Sequence, residues 1–442
     1  MNIRHIIALA LVFGIGCDGN LLTQDDDNST SPNNSTAPNN STEPNNSTTP
    51  NNTTPNNSTT PNNATPNNST TNGSNNQTLP VEPPVDPGPC GATTFATALE
   101  TKPVALQTSG ELFSTPTAAG GAFVAWAAQG NIQIAHIDGN GSVLANHSVP
   151  GTQIYGLAAN AAHVAVMSSR GSDVLALSIL TYGGSVVYDD VIIGDVDHNV
   201  QGNEWFGPLI RVGRLTWTGD RWATYYAVQR LWPDGIAHYG DQLRLYTEDG
   251  ATHTTQWGWG CSHSMEVRIS HNGNGIGAVC ASDCFPSKGV HFNHRGGMLY
   301  PDETGSNCAG GYGTRIGASI PMDDGFWAIY TATDNRGSHD VAATRITGNS
   351  IGDPVWLTED TADDRAPNGG RLGENILVGW YSGSSFLAVL NGTTGATTHG
   401  PQAFAGASLN QASDFFAYPN GDTGWVQQDG ANLELVRFRN CP

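Results

Sequence analysis

Lysine is nearly missing from this 442-residue chain: Lys102 and Lys288 are the only two, and acidic residues outnumber basic ones 39 to 18, for a formal charge of -21. A surface this negative repels phosphate backbones, which excludes nucleic acid as a partner. It also lacks the basic patch that anionic lipid attracts. Aromatic residues are absent from Asp18 to Thr94; of 13 Phe, 11 Trp and 12 Tyr, all but Phe13 come later. That stretch cannot bury enough apolar surface to fold, and the chain after it holds the material for one sizeable core. No amphipathic pattern of helical period runs beyond two turns, and no apolar run has the length to span a bilayer. A nucleophile elbow, a zinc-protease helix, a phosphate loop and a Ser-x-x-Lys pattern are all missing too. Glycine, by contrast, is abundant at 54 residues, which suits many tight turns.

The N-terminus reads as an export signal, with Arg4 ahead of the apolar run Ile6 to Ile15. The run ends in Gly14-Ile15-Gly16-Cys17, which resembles the lipobox of bacterial lipoproteins. The resemblance implies that residues 1–16 are removed and that Cys17 carries the lipid that holds the chain to a membrane of the cell envelope. The expected location is the outer membrane or the cell surface. Gly14 stands where that family carries Leu or another aliphatic residue. Residues 17–89 are expected to be a disordered linker. Within it a Pro-Asn-Asn-Ser-Thr unit repeats from Ser31 to Thr71, with prolines from Pro32 to Pro66 at every fifth or sixth position. Proline denies backbone donors while Asn, Ser and Thr bond to their own backbone and to water, so an extended spacer results. A second Pro-rich patch, Leu79 to Pro89, leads to Cys90, where the folded domain, residues 90–442, begins.

From Glu111 onward a pattern of short apolar runs recurs: Phe123–Trp126, Val164–Met167, Trp222–Tyr225, Ile276–Val279, Phe326–Tyr330, Ile376–Trp380 and Thr423–Val426. Each is continuous, as a strand buried on both faces should be, and an alternating run such as Asn131–Ile137 or Gln242–Tyr246 follows. Starts 41 to 58 residues apart match blades of a propeller, so the expected fold is an all-β, seven-bladed β-propeller. A pair of β-sandwiches or an open solenoid is the alternative. The last unit has room for three strands, and Val104–Thr108 is a spare strand that completes its sheet. Cys90 and Cys441 flank these segments, and a disulfide between them would lock the ring.

Without Cys17 six cysteines remain, Cys90, Cys261, Cys280, Cys284, Cys308 and Cys441, which in an exported chain read as three disulfides. The expected pairs are Cys261 with Cys280 inside the fourth blade and Cys284 with Cys308 across to the fifth, although other pairings stay open. A zinc site of Cys261, His263, Cys280 and Cys284 is the competing reading, with the right ligand types but the wrong compartment for free thiols. No metal or cofactor is expected.

In a propeller the connections between blades and the turns between second and third strands share one face. The third to fifth units crowd that face with Trp205, Trp232, His238, Asp241, Trp257, Trp259, His263, Arg336 and His339. Trp205, Trp232 and Trp259 offer flat surfaces for a sugar ring or peptide side chain, with His238, Asp241, His263, Arg336 and His339 as polar partners. Trp257 and Trp259 also suit a structural wedge between blades. The segments His238–Gln242, Trp257–Ser264 and Cys280–Cys284 together resemble a family of lipoproteins from myxobacteria and related predatory or marine bacteria. That resemblance implies a propeller at the cell surface and brings no activity with it. The expected protein is a monomeric, lipid-anchored binding or adhesion module for an extracellular glycan or protein. A hydrolase or lyase acting on polysaccharide is the alternative.

Overall fold

The computed structural model describes residues 97–440, apart from 109, 172–173, 194–205, 232–236, 262–265, 285–286, 295–296, 303–313, 334–336, 405–407, 410–411 and 413. Inside strands, the side chains of 206–211, 230–231 and 237–238 are also not described. The export signal, Cys17, the linker, Cys90, Cys308 and Cys441 lie outside the described residues.

Seven antiparallel sheets make up the domain. Ahead of them in sequence runs β1 (Leu99–Gln107). The first blade is β2 (Leu112–Pro116), β3 (Ala122–Ala128), β4 (Asn131–Ile137) and β5 (Val143–Pro150). The second is β6 (Gln153–Ala159), β7 (His163–Ser169), β8 (Leu175–Thr181) and β9 (Val186–Ile193). The third is β10 (Phe206–Trp217), β11 (Arg221–Leu231), β12 (Ala237–Thr247) and β13 (His253–Trp257). The fourth is β14 (Val267–His271), β15 (Ile276–Ser282), β16 (Gly289–Phe292) and β17 (Gly297–Pro301). The fifth holds β18 (Arg315–Met322), β19 (Gly325–Ala332), β20 (Asp340–Thr347) and the short β21 (Ser350–Ile351) and β22 (Val355–Trp356), both paired to β20. The sixth is β23 (Arg365–Leu372), β24 (Asn375–Tyr381), β25 (Ser385–Asn391) and β26 (Thr397–Ala403). The seventh has β27 (Phe416–Ala417), β28 (Thr423–Asp429) and β29 (Asn432–Phe438), and β1 completes it by pairing antiparallel with β29, Leu99 opposite Phe438.

Each first strand packs on its counterparts in the neighbouring blades, β2 on β6, β6 on β10 and onward through β14, β18, β23 and β27 back to β2. The first strands therefore ring a central axis, and the ring is closed. Space is short near the axis, and glycine provides it. A Cβ on Gly156 would lie 2.6 Å from the Leu215 backbone nitrogen, and one on Gly213 would lie 2.8 Å from the Tyr155 carbonyl oxygen.

The core is not one mass but seven wedges, each between two adjacent sheets. This explains the continuous apolar runs, because all seven are second strands with a neighbouring sheet on either face. Trp222, Trp327, Trp380 and Trp425 lie on these strands and are fully buried. Burying an indole leaves its N–H to be satisfied. Trp222 Nε1 donates to the Glu248 carbonyl at 3.0 Å and Trp327 Nε1 to that of Gly392 at 2.8 Å.

Candidate ligand-binding site

Because every blade is a simple meander, each first strand leaves the face that carries the connections between blades. The turns between second and third strands share this face. They are short in most blades, 129–130 in the first and 430–431 in the seventh, and longest at 283–288 and 333–339 in the fourth and fifth. The connections between blades run from 151–152 after the first blade to 302–314 after the fourth, with 194–205 and 404–415 nearly as long. The face anticipated from the sequence is thus the one with the longest segments.

Several side chains singled out on it fall outside the description: Trp205, Trp232, His263, Arg336 and the side chain of His238. Three others are placed. Asp241 on β12 is fully buried, not displayed: the Tyr225 hydroxyl donates to its Oδ2 at 2.8 Å and Trp257 Nε1 to its Oδ1 at 2.9 Å. Burial, then the Asp241 charge, pushes the Tyr225 hydroxyl well above the ordinary phenol range. Trp259 is half-buried over Gly240, where a Cβ would come within 2.7 Å of the indole, and it packs on the wedge between second and third blades. His339 meets Asp363 through Nδ1 at 2.6 Å, and that hydrogen bond is the largest influence holding the Asp363 carboxyl below its usual range.

Cys261 and Cys280 are joined as expected, but not inside one blade. Cys261 follows β13 and Cys280 lies on β15, so the bond ties the connection leaving the third blade to the second strand of the fourth. The Cys261 and Cys280 sulfurs and an Asp241 oxygen lie within 4.8 Å of one another, with both sulfurs spent on the disulfide. Cys284 is also disulfide-bonded; its expected partner Cys308 lies outside the described residues. Lys288, one of the two lysines, is buried with its Nζ 3.8 Å from the equally buried Asp302.

A further collection of charge lies at the mouth of the central channel. Residues from all seven blades line a cavity of about 280 Å³ along the axis, with Arg214 and Asp414 among them. Arg214 on β10 pairs in register with Tyr225, and Arg268 on β14 with Val279. Both partners are the fourth residue of their apolar runs. The equivalent places on other first strands hold Leu112, Gly156, Ala318 and Asn368. Two adjacent blades thus put arginine where these four put apolar, small or amide side chains. Asp414, two residues before β27, reaches both from across the ring: its Oδ2 is 3.2 Å from Arg214 Nε and its Oδ1 2.8 Å from Arg268 Nε.

Backbone carbonyls hold the guanidiniums. Arg214 Nη1 donates to Gly213, Arg268 Nε to Gly317 and Arg268 Nη1 to Val267, at 2.7, 2.8 and 2.8 Å. Glu266 stands beside them, accepts the Ile316 amide and lies 3.5 Å from Arg315 Nη1. Burial, then the neighbouring Arg214 charge, pulls Arg268 from the ordinary guanidinium range down to about 10. Burial also raises Glu266, against the opposing pull of Arg268. The five groups are three cations and two acids, a local positive excess among the described residues of a strongly acidic chain. Sequence reasoning passed over all five. The signal was there, since Arg214 and Arg268 each lie eight residues before the apolar run of their blade.

No family model and no curated protein matches the chain. Among solved structures it is similar to the Dos1 propeller, at 11% identity over 77% of this chain and 95% of that one, with a TM-score of 0.46. It is also similar to a subtype N10 neuraminidase-like protein of little yellow-shouldered bat origin, at 12% identity over 66% and 96% of the two chains and a TM-score of 0.38. TolB from Acinetobacter baumannii matches at 10% identity over 71% and 78%, with a TM-score of 0.34. These are likenesses of fold alone. The chain is a seven-bladed β-propeller on the strength of its own sheets.

Proposed function

We propose that this propeller is a ligand-binding or adhesion module, carried on a lipid-anchored stalk outside the cytoplasm and presenting the face built by the third to fifth blades. The observation that supports this reading is the channel mouth. A charged cluster stands there over a cavity of about 280 Å³, on the face with the longest connections. Pockets of this size take small molecules or the end of a larger one, and a few convergent polar groups fix the orientation. A fold alone does not name a ligand, so an extracellular glycan or a protein remains the class to screen.

The test is a glycan and protein binding screen with the full chain, run beside Arg214→Met. Capture of a ligand by the native chain and its loss in the variant supports the reading. Absence of any ligand, or capture indifferent to the channel mouth, removes it. The exposed His339–Asp363 pair on the same face is the feature that favours the alternative of a polysaccharide hydrolase or lyase. Release of reducing ends in the same samples would establish that chemistry.

A further inference from the structure

Asp414 is an imperfect occupant of the place it fills. Its Oδ1 is 2.8 Å from Arg268 Nε, yet that N–H donates to the Gly317 carbonyl, and Asp414 Oδ1 is left buried without a well-aligned hydrogen bond. A guanidinium holds a carboxylate best through two parallel N–H donors, an arrangement this short side chain does not reach. The arginine side chains are 10% and 3% exposed, whereas that of Asp414 is 30% exposed. The fixed part of the site is therefore cationic, and the part already in contact with water is the acid. Two guanidiniums this close repel each other, and the carboxylates of Glu266 and Asp414 offset that repulsion. The cavity continues along Ser114, Thr216, Ser270 and Ser319, the last two sharing a hydrogen bond at 2.9 Å.

We propose that Arg214 and Arg268 form a carboxylate-binding site at the channel mouth, that the chain's own Asp414 fills it in the unliganded protein, and that the ligand of this face displaces Asp414 with a carboxylate of its own. The last clause rests on the binding function proposed above; the first two do not. Displacement exchanges one carboxylate for another over the same two cations. It releases Asp414 toward solvent, so the net cost is small and a ligand with bidentate reach wins.

The test uses sodium formate as probe, with sodium chloride at equal ionic strength as control, and follows thermal unfolding of the full chain. Asp414→Ala is expected to melt several degrees below the native chain and to recover saturably with formate but not with chloride. The native chain, whose site is filled, should respond at least tenfold less strongly at the same formate concentration. Adding Arg268→Gln to Asp414→Ala should abolish the recovery. Should Asp414→Ala fail to fold, Asp414→Asn carries the same titration by calorimetry. A variant indifferent to formate, or one that still responds after Arg268 is replaced, overturns the site. If formate acts as expected but the screen finds no ligand, the carboxylate site stands and the binding function falls. If the screen finds a ligand but formate does nothing, the reverse holds.

Discussion

Asp241 shows how a single buried acid can be structural when the sequence makes it look like part of a binding surface. It accepts from Tyr225 and Trp257, whose ring stands edge-on to Tyr225 at 5.8 Å between centroids, so one carboxylate joins three strands of a blade. Tyr225→Phe removes one of those bonds and leaves a buried charge short of a donor. The expected cost is about 1.5–3 kcal/mol, the usual worth of a hydrogen bond to a charged group. Urea unfolding checks it: the midpoint should fall at unchanged m-value. His291 on β16 makes the opposite kind of statement. It is buried with Nε2 2.8 Å from the Ser287 carbonyl, and desolvation lowers its pKa below 6.5. A histidine depressed in the folded state contributes stability that is full above pH 6.5 and lost as the pH falls through the folded value. Acidifying from pH 7 to pH 5 should therefore weaken the native chain more than His291→Gln. Parallel melting curves of the two proteins across that range would contradict this assignment.

At the scale of strands, legibility followed burial. The second strands announced themselves because both faces meet neighbouring sheets, which favours apolar and small residues; Gly325–Ala332 is buried at every position. The first strands carried no such signature. β23, which reads Arg-Ala-Pro-Asn-Gly-Gly-Arg-Leu, is chosen for narrowness near the axis, a constraint that no hydrophobic period reveals. Arg214 and Arg268 were passed over although both stand eight residues before an apolar run, since a charged residue in a strand looks like a surface position until the register places it on the channel. The bond between Cys261 and Cys280 was one of several pairings the sequence left open, and its span between two blades was not legible there at all. Narrowness makes its own prediction. Gly156→Ala has an ordinary φ available, but its Cβ would meet backbone atoms of Leu215 and Arg214, which cannot turn aside. Pushing β6 from β10 should cost about 1–3 kcal/mol, the range for overpacking a well-fitted interior. An unchanged melting temperature would mean that the two first strands are freer to separate than their packing implies.

For the whole molecule, the decisive pairing joins residues more than 330 positions apart. β1 lies on β29 with Glu100 opposite Arg437 and Lys102 opposite Leu435, and the Arg439 side chain reaches Glu100. Closure is therefore the last event available to the growing chain, and its long loop makes it slow. The seven wedges behave as nearest-neighbour contacts, so losing the closing strand should be felt first at the seam and only later opposite it. A chain beginning at Thr108 lacks β1, bares the edge of β29 and opens the wedge in which Val104 packs with Leu433 and Leu435. It should melt below the native chain, and its backbone amides should exchange fastest in Asn432–Phe438, then in the first blade, with the third and fourth blades protected longest. A peptide spanning residues 97–108, added to this chain, should restore protection at β29 by refilling the vacant edge. If exchange rose equally in all seven blades, the ring would be a single cooperative unit. If β29 kept its native protection, β1 would be a passive cover and not the strand that closes the propeller.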